Sequence, residues 1–99
     1  MIYVIATVPM KPEGREAFIA GHKKCIAETV KEKGCNSYEG HISIHDPNLY
    51  VVVERWENRE ALEAHGKTPH MLEWRETAGK YRAGPSVIEI ISDGKVEKR

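Results

Sequence analysis

The chain has 99 residues, enough for one domain with its own core but small enough that part of its apolar surface calls for a partner chain. Its 15 Lys and Arg residues balance 15 Asp and Glu residues, which excludes a basic field for phosphate backbones and argues against nucleic acid binding. The apolar run 2–8 lacks a charged leader and a small-residue cleavage site and is far too short to span a bilayer, so the chain reads as cytoplasmic with no membrane span.

In chain order, Ile2, Val4, Ala6 and Val8 alternate with Tyr3, Ile5 and Thr7, predicting a strand with two largely apolar faces, both needing cover. Lys11-Pro12-Glu13-Gly14 breaks it. Phe18, His22, Cys25, Ile26, Thr29 and Val30 then recur at three and four residues, with Glu16, Lys23, Lys24, Lys31 and Glu32 between them. The pattern predicts an amphipathic helix ending near Gly34, with a solvated charged face on which Lys24 and Glu28 pair. Tyr38, Gly40, Ile42 and Ile44 alternate with Glu39, His41, Ser43 and His45, a strand with one buried and one polar face, and Asp46-Pro47-Asn48 turns it back. On the returning strand Tyr50, Val52, Glu54 and Trp56 share one face, which makes Glu54 an acid among apolar neighbours. Asn58 caps a short helix carrying Ala61, Leu62 and His65, a further helix covers 69–80, and Gly84-Pro85 leads into a last strand at 87–91. The charged tail 93–99 is expected to fray or drape on a neighbour. Cys25 and Cys35 form neither a Cys-x-x-Cys pair nor a framework and are expected to stay thiols, Cys25 in the core.

Strand, helix, strand, twice over, is the split βαβ pattern of a ferredoxin-like α+β fold: an antiparallel sheet with helices on one face. One domain at 1–92 followed by the tail 93–99 accounts for the chain. The sheet face without helices is expected to be buried by a second copy, giving a homodimer.

Chemistry concentrates at 65–81. Thr68 suits an N-cap and Pro69 the first helical position, which puts His70 in the first turn of a helix. The positive end of the helix dipole disfavours a protonated imidazole there and favours the neutral form that accepts a proton. His70, Trp74, Thr77 and Tyr81 fall on one helix face, although aromatics at this spacing more often build core than pocket. His41 and His45 lie roughly 13 Å apart along a strand, too far to share a metal ion. No Gly-rich phosphate loop, Ser-His-Asp set or metal-spaced Cys/His cluster is present, so neither metal nor cofactor is expected.

Glu54-Arg55-Trp56-Glu57, Ala61-Leu62-Glu63-Ala64-His65 and Thr68-Pro69-His70, with Gly34-Cys35 and Ser37-Tyr38 upstream, resemble the antibiotic biosynthesis monooxygenase family over residues 1–91. The resemblance implies a ferredoxin-like homodimer whose two sheets meet as a dimeric α+β barrel, with a pocket in each protomer between sheet and helices. It implies oxygenation of electron-rich phenols or quinols by dioxygen without metal, flavin or haem. The His65–His70 segment looks like that of the quinol monooxygenases. It is also similar to the isomerases of phosphorylated autoinducer-2, which share both histidines, Thr68-Pro69 and Gly84-Pro85. The haem-degrading branch departs from this chain, which has Thr7 in place of a first-strand asparagine and Trp74 and Arg75 near the axial histidine position.

A cofactor-free oxygenase needs a base, a largely apolar pocket and stabilisation of the substrate oxyanion. His70 is the first choice of base. His65 would orient the substrate or relay the proton, and Glu54 would fix a histidine tautomer or act as base itself. Trp74 and Tyr81 would wall the aromatic substrate, with Arg75 as a substrate-binding cation. The runner-up activity, isomerisation of a small phosphorylated signal, calls for cations facing inward where a phenol calls for aromatic walls; a third reading is a ligand-binding dimer without turnover.

Overall fold

A computed structural model describes residues 1–99. β1 (Ile2–Pro9) is followed by a single 3₁₀ turn (Pro12–Gly14), α1 (Arg15–Thr29), β2 (Cys35–Ile42), β3 (Leu49–Trp56), α2 (Arg59–His65), α3 (Pro69–Tyr81), β4 (Val87–Ser92) and β5 (Lys95–Lys98). All five strands form one antiparallel sheet in the order β2-β3-β1-β4-β5, with the helices packed on one face. This is the ferredoxin-like α+β fold that the element order predicts.

The register decides which residues meet the helices. Val4 pairs with Glu54 on one side and Ile90 on the other, and Ala6 with Val52 and Ile88, so these side chains share the helix-facing surface. Phe18 of α1 is fully buried and meets Tyr50 and Trp74 edge-on, with ring centroids 5.1 and 4.8 Å away. Each such burial contributes roughly 1.5–3 kcal/mol. The two later helices start where local chemistry says they should: the Asn58 side chain accepts from the Ala61 amide at 2.9 Å and the Thr68 hydroxyl from the Met71 amide at 3.4 Å.

Three expectations need correction. The tail is not frayed: Asp93 (φ 51°) and Gly94 (φ 75°) both adopt left-handed backbone, the geometry of a tight two-residue hairpin, and β5 pairs with β4 through Ile91 and Val96. Lys24 pairs at 2.7 Å with Glu73 of α3, across the helix pair, and not with Glu28, which holds Lys31 at 3.1 Å. The strand pattern carried through to Ile44 overshoots β2, which ends at Ile42, and both Ile42 and Ile44 are exposed where the alternation predicts a buried face.

On the opposite sheet face Tyr3 and Val87 are exposed, and Ile5, Val51, Val53 and Ile91 are only half-buried. No helix is long and apolar enough to cross a membrane.

Candidate active site

Between the sheet and the last two helices lies a cavity of ≈ 550 Å³, within the size range of small-molecule sites. Val4, Ala6, Val52 and Ile90 of the sheet form its floor, and Leu62, Met71, Trp74 and Ala78 its helical wall. Polar side chains interrupt this apolar lining: Glu54, His65, Tyr38, Ser86, Arg75, Arg82 and Arg99. Arg99 is tied to Glu63 at 2.6 Å and to Glu97 at 3.6 Å, whereas Arg75 and Arg82 pair with no acid.

Glu54 is brought there by strand alternation, since it shares a face with Val52 and Trp56. It is 7% exposed, and its Oε1 accepts the Trp56 indole N–H at 2.9 Å while the second carboxylate oxygen takes no protein partner. Burial pushes its carboxyl up to about 7; the Trp56 hydrogen bond opposes this and the negative charge of Glu32 adds to it.

His65, the last residue of α2, is 3% exposed, its ring between Trp56 and Tyr38 at centroid distances of 4.7 and 5.2 Å. Nδ1 meets Glu32 Oε2 at 2.8 Å, and because a carboxylate only accepts, Nδ1 carries the proton. Nε2 is then a bare lone pair, buried without a partner. Burial lowers the pKa of His65, against the raising effect of Glu32, and so favours this neutral form.

His70 sits in the first turn of α3 as expected, but its Nε2 meets the same Glu32 oxygen at 2.6 Å and its side chain is not part of the cavity wall. The helix periodicity is right about the shared face and misjudges what that face meets. His70, Trp74, Thr77 and Tyr81 turn toward α1, where Gly21 faces Thr77 and Gly14 faces Tyr81 so closely that a Cβ on either glycine would clash. Met71, Arg75 and Ala78, together with Trp74, line the cavity. Trp74 is therefore both wall and core, Arg75 lines the cavity, and Tyr81 does not.

The structure also reveals participants that sequence periodicity hides. Glu32, assigned to a solvated helix face, lies beyond the end of α1 in the turn to Gly34 (φ 85°), where the 3.6-residue rule no longer applies. Glu32, His65 and His70 place one ligand-type atom each within 4.8 Å of one another. Tyr38 pairs with Glu54 in register and lines the cavity. Its hydroxyl lies 3.3 Å from Nε2 of the fully buried His22, whose Nδ1 lies 2.6 Å from the Tyr50 hydroxyl. Burial, helped by repulsion from His65, lowers the His22 pKa to about 4. Gly40 makes room for this network, since a Cβ there would stand 1.8 Å from the Tyr50 hydroxyl oxygen.

An antiparallel sheet with helices on one face and a largely apolar cavity of small-molecule size beneath them defines a ferredoxin-like α+β protein. Residues 1–77 match the family model for antibiotic biosynthesis monooxygenase, and the chain belongs to that family. It is 34% identical over 89 residues to the Synechocystis protein sll1783, covering 90% of this chain but only 60% of that relative. The Escherichia coli protein named "Probable quinol monooxygenase YgiN" is 33% identical over 86 residues, 77% of this chain and 83% of its own. Among solved structures, Rv0793 from Mycobacterium tuberculosis superposes with a TM-score of 0.87 at 31% identity, covering 92% of each chain. Family and relatives together support a monooxygenase-type role.

Proposed function

We propose that the protein is a homodimeric, cofactor-independent monooxygenase that oxidises a quinol or related phenol with dioxygen. The observation that carries the reading is Glu54: a carboxyl in the wall of an apolar cavity, one oxygen held by Trp56 and the other free, with a pKa of about 7. That is a base matched to a phenolic proton near neutral pH. Glu54 takes the proton, and the electron-rich phenolate reduces dioxygen. The O–O bond breaks: one atom turns a ring C–H into C–OH, and the other leaves as water with the two quinol hydroxyl hydrogens, so the ring ends as a hydroxyquinone, supplies all four electrons and needs no external reductant. Trp74 and the aliphatic floor exclude water, and His65, held by Glu32 with His70 behind it, lines the same cavity as the base and offers a route for the proton. Glu54 thus takes the role first sought at His70, because His70 stands outside the cavity wall. The dimer rests on the uncovered apolar sheet face carrying Tyr3 and Val87, and sedimentation should give twice the 11.2 kDa chain mass.

The test is oxygen uptake against a panel of quinols with metals chelated, on the wild type and on Glu54→Gln. Uptake that rises with pH through about 7 and falls at least roughly a hundredfold in the variant is expected. Absence of uptake across the panel, or an unimpaired Glu54→Gln, defeats the reading.

Arg75 and Arg82, facing the cavity without acid partners, favour a second reading: isomerisation of a small phosphorylated signal. In that case Arg75→Gln and Arg82→Gln raise KM for a phosphorylated sugar-like substrate, and the wild type consumes no oxygen.

A further inference from the structure

We infer that Glu32, His65 and His70 form a binding site for a first-row divalent transition metal ion of the zinc class. The site shares His65 with the cavity lining, Glu32 and His70 lying outside it, and its assignment does not depend on the oxygenase reading. The donor set is two imidazoles and one carboxylate, with Glu32 Oε2 2.8 Å from His65 Nδ1 and 2.6 Å from His70 Nε2, and all three donor atoms within 4.8 Å. Two histidines and one glutamate, leaving a fourth position open, suit zinc and its neighbours in the series.

The backbone holds this set ready without an ion. His65 closes α2 and His70 lies in the first turn of α3, and the turn between them is locked by Thr68, whose amide and hydroxyl both donate to the His65 carbonyl, at 3.2 and 2.8 Å. Glu32 arrives from a third segment, the turn between α1 and β2. In the metal-free state two imidazole N–H groups converge on one carboxylate oxygen. An ion would replace those two protons and pull the donors from hydrogen-bond spacing to about 3.3 Å apart, the separation of neighbouring ligands around tetrahedral zinc. His70 permits that shift, because its side chain is 18% exposed and that of Glu32 14%, against 4% for His65. The same exposure opens the site from solvent. The ion would staple three segments together behind the cavity wall, with Arg75 as the cation whose charge reaches His65 and opposes binding.

Zinc and cobalt ions are the probes. Titration of the metal-free protein at pH 7.5 should give one saturable equivalent per chain, with cobalt absorption bands in the visible and a rise in Tm. His70→Ala and Glu32→Gln should each weaken binding by at least roughly 10–100-fold, the loss that even an outer-shell change causes. His41→Ala, on the exposed strand face, should bind as the wild type does. No saturable equivalent, binding that survives both ligand substitutions, or binding lost with His41→Ala would each overturn the assignment. The quinol assay does not enter these readouts, so failure here and failure of the oxygenase reading are separable.

Discussion

His22 and His65 are both buried, both hydrogen-bonded and both packed on aromatic rings, and they differ in one nitrogen. At His22 each ring nitrogen meets a tyrosine hydroxyl, Tyr50 at 2.6 Å and Tyr38 at 3.3 Å, and the network closes on itself inside the core. At His65 one nitrogen is held by Glu32, and the other is buried without a partner in a residue that lines the cavity. A closed network stabilises a single packing and has no site left for a ligand. An open one carries an unmet hydrogen-bonding capacity, tolerated where a ligand is meant to complete it. Burial alone does not separate structural from functional histidines; the count of satisfied nitrogens does.

His22→Phe should break the closed network at the largest cost in stability. It fills a similar volume but strips the Tyr50 hydroxyl of its partner and leaves Tyr38 only a 3.9 Å contact to the Met71 sulfur. Denaturant unfolding should record a loss of roughly 2–4 kcal/mol, with turnover of the remaining folded protein little changed. At His65 the pattern should invert. His65→Phe gives up one bond, from Nδ1 to a Glu32 that keeps His70, and none at Nε2, so it should cost less stability than His22→Phe while lowering kcat roughly tenfold to a hundredfold at unchanged KM. If His65→Phe unfolds the protein instead, the open nitrogen is a packing accident.

The same contrast appears in pH. His22 titrates at about 4 in the folded protein against 6.5 ordinarily, so its contribution is complete above pH 6.5 and is lost as pH falls through 4. Glu54 is the opposite case, raised from 4.5 to about 7: its contribution is complete below pH 4.5 and is lost as pH rises through 7. Between pH 5 and 7 the two slopes oppose each other. Removing one should expose the other: relative to wild type, Glu54→Gln gains roughly 2 kcal/mol of stability over that interval and His22→Phe loses a similar amount. Thermal melts at pH 5, 6 and 7 decide it, and parallel curves for all three proteins would show that neither group is perturbed as burial demands.

What the sequence makes legible follows the range of the forces. Strand alternation places Glu54 beside Val52 and Trp56, and the caps at Asn58 and Thr68 are read from a few neighbouring residues, so all of these appear without tertiary information. Glu32 does not: its position depends on α1 stopping at Thr29, and periodicity cannot mark where it ceases to hold. His70 fails differently. Its helix face is read correctly, but whether that face meets α1 or the cavity is set by the small residues Gly14 and Gly21 on the preceding segment, which let α3 close against it. The β5 hairpin turns at Asp93-Gly94, a two-residue hairpin pair, and a reading of 93–99 from charge alone passes over it.

Tyr38 joins the two histidines, and its removal should have the smallest effect. Its ring lies 5.4 Å from His22 and 5.2 Å from His65, and its hydroxyl touches only the former, at 3.3 Å. Burial pushes the phenol well above its ordinary pKa, with the Glu54 charge adding to the effect, so it stays a neutral donor and serves as no base itself. Tyr38→Phe keeps both ring contacts and deletes one long hydrogen bond, leaving His22 anchored through the shorter bond to Tyr50. The expected cost is about 1 kcal/mol or less in stability and no more than a few-fold in kcat. A loss in kcat as large as that of His65→Phe would place the Tyr38 hydroxyl on the substrate, and the boundary between closed core and open site would then run through Tyr38.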